Sequence, residues 1–301
     1  MRACLQCFAS GSTEFKGDTV SPHLTTILTK HAKHENFPVG SWLLSSKLRI
    51  HITSFYNFAR CADNIADNPE LSSEEKLKQL DSFEEALMGK GNGNPALQDA
   101  LNMHESLQES GVSSKHCRDL ICAFKQDAIK SRYTDWADLV AYCALSAAPV
   151  GRYMLDLHGE PNMHYKRSDS LCSSLQLINH LQDCGDDYRS LDRVYLPMDW
   201  VSEAGLDLVD LNKNKTTLAL RRVLDWMLMG VNEQLNDSKS LPNNLQSVRL
   251  SLETSIIYEV AQKLFQKIKL NDPLSSRIEL SKSELAICSI KGVVTGFLYR
   301  C

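Results

Sequence analysis

The chain has 301 residues, 43% hydrophobic and 23% charged, with a formal net charge of -4 and a pI near 6.1. That composition supplies a sizeable core and excludes an intrinsically disordered chain, and the slight acidic surplus argues against nucleic-acid binding. Ten cysteines scattered along helix-like segments, with no signal-like apolar stretch after Met1, read as reduced thiols in a cytoplasm rather than as a disulfide framework.

A 3.6-residue apolar period runs through the chain and sustained strand alternation is hard to find, so an all-α protein is expected. Pro38-Val39-Gly40 precedes a first long helix, which closes at Asn68-Pro69. Ser72-Ser73-Glu74-Glu75 has the form of a capping box that opens a second. Residues 89–95, rich in glycine, form a flexible turn, and Gly111-Val112-Ser113-Ser114 leads into another helix. A long helix is expected from about 136 to 157, kinked at Pro149, where the ring removes a donor and crowds the preceding turn. A polar loop over 158–168 leads to the next helix, and others are expected near 216–234, 241–270 and 281–298. No linker separates two domains, so one bundle over 1–301 follows, with 1–23 as a loosely ordered lead-in. Cys4 and Cys7 have a metal-like spacing but no second pair nearby. No run reaches the ~18 apolar residues of a membrane span, so membrane association would be peripheral.

Two short runs carry the chemistry. Asp63-Asn64-Ile65-Ala66-Asp67 and Asp183-Cys184-Gly185-Asp186-Asp187 each place carboxylates four residues apart, on one face of a helix. Like charges so placed repel, and both follow apolar stretches: Ile50, Ile52, Phe55, Tyr56, Phe58 and Ala59 before the first, Leu171, Leu175, Leu177, Ile178 and Leu181 before the second. Both pairs are therefore expected at the ends of largely buried helices, with a cation between them. Sparse hard oxygen ligands suit Mg²⁺, which keeps several waters and bridges protein carboxylates to substrate phosphates.

The runs Asn36-Phe37-Pro38-Val39-Gly40-Ser41, Phe55 through Asp67, Gln176 through Asp183 and Arg193-Val194-Tyr195-Leu196-Pro197 together resemble the squalene/phytoene synthase family, and within it the HpnC branch of bacterial hydroxysqualene synthases. The resemblance extends from about Leu24 to Gly296. It implies an all-α isoprenoid-synthase bundle with a central apolar cavity and metal-binding carboxylates at the mouth.

Carried over position by position, the resemblance makes Asp63, Asp67, Asp183 and Asp187 catalytic metal ligands that hold Mg²⁺ against the substrate diphosphate, on the order of two or three ions. Asp186 is adjacent, but its direction on the helix fits less well. Arg60 matches a diphosphate-facing arginine whose planar fork suits phosphate oxygens, and Tyr56 an active-site tyrosine. Asn36 and Phe37 match the substrate cavity, where an aromatic face steadies a carbocation without trapping it. Gln176 and Asn179 are polar groups on the face of Asp183. Arg193, Tyr258 and Arg277 match further substrate-binding positions. Gln182 stands where many head-to-head condensing synthases carry an arginine, which disfavours a second fully charged diphosphate by roughly 1.5 to 3 kcal/mol per lost charge-assisted contact.

The resemblance thus implies conversion of presqualene diphosphate and water to hydroxysqualene with release of diphosphate, in squalene and hopanoid biosynthesis, without NADPH. Contact with a sister presqualene diphosphate synthase and with the inner face of the membrane is implied too. A condensing prenyltransferase and a non-catalytic assembly protein of the same fold are the alternatives.

Overall fold

The computed structural model describes residues 45–298 apart from residue 92, and its architecture follows from where the apolar stripes fall. Helix α1 (Ser46–Ala66) buries Ile52, Phe55, Phe58, Ala59, Ala62, Asp63 and Ala66, spacings of three and four that draw one stripe. Helix α2 (Ser73–Leu87) starts at the expected capping box: the Ser72 hydroxyl accepts from the Glu75 N–H at 3.3 Å, and the Glu75 carboxylate accepts from the Ser72 N–H at 2.8 Å. Helix α3 (Gln98–Ser110) stops at Gly111, whose φ of 71° places it in the left-handed region that glycine enters freely. Helix α4 (Lys115–Asp127) packs against α1 and α2 on one side and against two later helices on the other, so it joins the two halves of the fold.

Around Pro149 the expected kinked helix is instead two helices, α5 (Trp136–Ser146) and α6 (Ala148–Leu157), broken at Ala147. Proline near the start of α6 loses no helical bond, because the first N–H groups have no intrahelical acceptor anyway. The small residues beside it serve close packing. A Cβ on Gly151 would lie 2.2 Å from the Ser168 hydroxyl and 2.7 Å from the Cys172 sulfur of the next helix. That helix, α7 (Tyr165–Leu191), is the hub, lying against α5, α6 and two helices of the C-terminal part. It begins within the loop expected over 158–168 and runs past the second acidic run.

A two-stranded parallel sheet interrupts the all-helical pattern. It pairs β1 (Arg132–Tyr133) with β2 (Val194–Pro197), Arg132 opposite Val194 and Tyr133 opposite Pro197. The chain continues through α8 (Met198–Ala204), α9 (Leu218–Ser238), α10 (Leu241–Asn244), α11 (Val248–Leu270) and α12 (Lys282–Leu298). The single helix expected over 241–270 is therefore divided between Asn244 and Val248. Glu160 fixes the start of α11 by accepting from the Gln246 and Ser247 N–H groups at 3.0 and 2.7 Å. The described cysteines, among them Cys61, Cys117 and Cys172, are free thiols, and burial pushes Cys61 up to about 11 and Cys184 up to about 12. Cys4 and Cys7 lie outside the described residues. Among the described residues, no helix is long and apolar enough to cross a membrane.

Candidate active site

Tyr56, Arg60, Asp63 and Asp67 lie four, three and four residues apart, along one face at the C-terminal end of α1. The Arg60 Nη1 donates to Asp63 Oδ2 at 2.8 Å, and Asp63 is almost wholly buried. Asp67 is the residue after the helix, so the first acidic run does end α1. The second does not end its helix. Asp183 and Asp187 are half-buried within α7, which continues to Leu191, while Asp186 points outward and pairs with Arg189 at 2.5 Å.

Arg193 draws the two runs to one end of the bundle. It is 7% exposed, and its guanidinium reaches Asp67 Oδ1 at 2.5 Å, the Ala66 carbonyl at 3.2 Å and the Asp127 carbonyl at 2.9 Å. Its backbone N–H donates to the Asp187 carbonyl at 3.2 Å. One residue thus ties the end of α1, the end of α4 and the acidic stretch of α7.

Three partners in this network carry no signature in the sequence. Asp127, the last residue of α4, accepts from the Tyr142 hydroxyl at 2.9 Å and the Tyr195 hydroxyl at 3.3 Å. Burial pushes its carboxyl up to about 6 against the opposing pull of Arg193. Lys76 of α2 is close enough to feel Arg193 and Asp67, and burial, with the Arg193 charge, lowers its ammonium. His180 stacks on Tyr195 with ring centres 3.6 Å apart. A helical wheel places His180 near Asp183, but only the fold supplies Tyr195 as its neighbour.

The other expected residues divide. Gln176 is fully buried and Asn179 half-buried, both on α7 before Asp183. The Gln182 amide donates to the Ile278 carbonyl, holding the segment after α11 against α7. Arg277, next to Ile278, therefore stands at the acidic end, exposed and 3.9 Å from Glu279. Tyr258 is not brought to the carboxylates. It lines a cavity of about 540 Å³ together with Asn236, Lys239, Glu259 and Lys291, and its hydroxyl accepts from Gln262 at 2.9 Å. Asn36 and Phe37 lie outside the described residues.

Among the described residues, no three His, Cys, Asp or Glu side chains gather into a ready-made cation cage. Paired carboxylates of this kind suit a hydrated Mg²⁺ whose shell is completed by phosphate oxygens. Asp63, Asp67, Asp183 and Asp187 are the residues that could hold such an ion.

The squalene/phytoene synthase family model matches residues 30–284. The chain belongs to that family. Within it, hydroxysqualene synthases of Rhodopseudomonas palustris and Zymomonas mobilis are 42% and 34% identical to this chain, covering 90% and 94% of it and 92% and 94% of their own lengths. The solved squalene synthase HpnC from Alicyclobacillus acidocaldarius superposes with a TM-score of 0.68 at 26% identity, over 82% of this chain and 92% of that one. A dehydrosqualene synthase, 19% identical, shares the fold with a TM-score of 0.69 over 92% of this chain and 95% of its own.

Proposed function

We propose that this chain, acting as one catalytic domain, converts presqualene diphosphate and water to hydroxysqualene and free diphosphate. The observation that carries the reading is Arg193, which brings both acidic runs of a family member to one end of the bundle. Bound Mg²⁺ would supply Lewis-acid neutralisation of the diphosphate as it leaves.

The protein's own groups do the rest. Arg60, hydrogen-bonded to Asp63, would meet phosphate oxygens with its planar fork. The buried apolar faces of α1 and α7 would wall the reacting carbons. There the cyclopropylcarbinyl cation rearranges away from stray water, which would otherwise quench the wrong carbon. One positioned water then captures the rearranged cation. No nicotinamide takes part. Position 182 is glutamine, its amide donating to the Ile278 carbonyl, and without an arginine there to hold a second diphosphate one-diphosphate chemistry is favoured over prenyl condensation. So greasy a substrate also favours a cytoplasmic enzyme that meets the membrane surface peripherally and receives its substrate from a sister presqualene diphosphate synthase.

Incubation of the full chain with presqualene diphosphate and Mg²⁺ in ¹⁸O-water, without nicotinamide, is expected to give hydroxysqualene carrying one ¹⁸O. Efficient turnover of farnesyl diphosphate alone would instead establish the condensing prenyltransferase.

A further inference from the structure

Gln176 and His180 lie one turn apart on α7, and both are buried, at 0% and 3% exposure. Gln176 Nε2 and His180 Nε2 are 3.0 Å apart, while Gln176 Oε1 and His180 Nδ1 have no hydrogen-bond partner. An amide can turn over, so the pair has two arrangements. Either the amide N–H donates to the imidazole, leaving Oε1 and an Nδ1–H open. Or the imidazole Nε2–H donates to the amide oxygen, leaving amide N–H groups and a bare Nδ1 open. Both leave at least one donor and one acceptor unmet inside the bundle.

Neither side chain is free to seek solvent. The imidazole lies face to face on Tyr195, 14° from parallel, with Tyr142 at 6.2 Å. Burial, reinforced by the charge of Arg193, holds the ring neutral. A buried polar atom left unmet costs roughly 1 to 3 kcal/mol, and a bound water is the usual remedy where donor and acceptor stand together.

The position along the helix matters as much as the open valences. His180 and Gln176 precede Asp183 by three and seven residues, about 4.5 and 10 Å along the axis at the ordinary helical rise. That is the distance range in which the carbons next to a departing diphosphate would lie if it is held at Asp183.

We propose that Gln176 and His180 form the slot for the nucleophilic water and that the imidazole receives its proton. This assignment rests on the reaction proposed above. An oxygen lone pair of the water forms the C–O bond to the cationic carbon. One O–H bond breaks, its electrons staying on oxygen, and the proton passes to the bare Nδ1. The alcohol leaves neutral, and the imidazolium returns to imidazole when its proton departs with the diphosphate product.

The test measures hydroxysqualene formed per diphosphate released from presqualene diphosphate, by mass spectrometry and a phosphate assay. His180→Phe keeps a ring against Tyr195 and removes both nitrogens; Gln176→Met keeps the volume and removes the amide, and serves if the first variant does not fold. The ratio is expected to fall at least tenfold in either variant, with polyenes formed by proton loss, or misplaced alcohols, making up the difference. A ratio equal to that of the wild type in a folded variant overturns the assignment, even where overall turnover slows. A wild-type chain that releases no diphosphate from presqualene diphosphate overturns the reaction itself and this assignment with it.

Discussion

Replacing Arg193 by methionine removes the donor shared by Asp67 and the carbonyls of Ala66 and Asp127. Breaking a buried charged pair from one side generally costs about 3 to 5 kcal/mol, so the urea midpoint of Arg193→Met should fall by a corresponding amount. Arg193→Lys should recover only part of that loss, because an ammonium cannot reproduce the fork. An unchanged midpoint would show that the link is incidental. Glu253 makes a different prediction. It is 2% exposed on α11, neither carboxylate oxygen has a partner, and burial raises its carboxyl well above the ordinary range. The folded state therefore holds a proton that the unfolded chain gives up. Its contribution to stability is full below about pH 4.5 and is lost as pH rises through the raised folded value, at about 1.4 kcal/mol per unit. Glu253→Gln should flatten the fall in stability between pH 5 and pH 8, measured by denaturant titration; parallel curves would contradict this. At this scale the placement of the carboxylates and Arg60 along helical faces was legible from their spacing. Asp127 and His180 were not, since their meaning comes from Tyr142 and Tyr195, which the fold alone brings beside them.

Helix α12 is held to α11 by close backbone approach. A Cβ on Gly292 would sit 2.6 Å from the Ile256 Cα and 2.7 Å from its nitrogen, and neither atom can swing aside. Gly292→Ala should therefore push the helices apart and destabilise by roughly 1 to 3 kcal/mol. Hydrogen exchange should quicken along α12 while the core of α7 stays protected; equal protection in both would contradict the close packing. Element boundaries were readable where local chemistry sets them, as at the Ser72 capping box and the Gly111 stop. They were misjudged where tertiary packing decides. Pro149 signalled a disturbed helix, but whether it bends or breaks depends on how Gly151 lets α6 lie against Ser168 and Cys172. The β1–β2 pair is too short to leave any alternation in the sequence, and it exists because Val194 and Arg132 meet beside α7.

Across the whole molecule, two acidic runs more than a hundred residues apart act together only if the bundle folds as described. Their spacing and their resemblance to a family pointed to a shared role, but the means of joining them, a buried arginine between three helix segments, is a product of the fold. The most direct test is calorimetric titration of the full chain with pyrophosphate in the presence of Mg²⁺, repeated on Asp63→Asn and Asp183→Asn. A shared site predicts that either substitution weakens binding by about 100-fold, in the range typical for loss of one charge-stabilising group, while helicity by circular dichroism is retained. If Asp183→Asn binds Mg²⁺-pyrophosphate as tightly as the unaltered chain, the two runs do not serve one site.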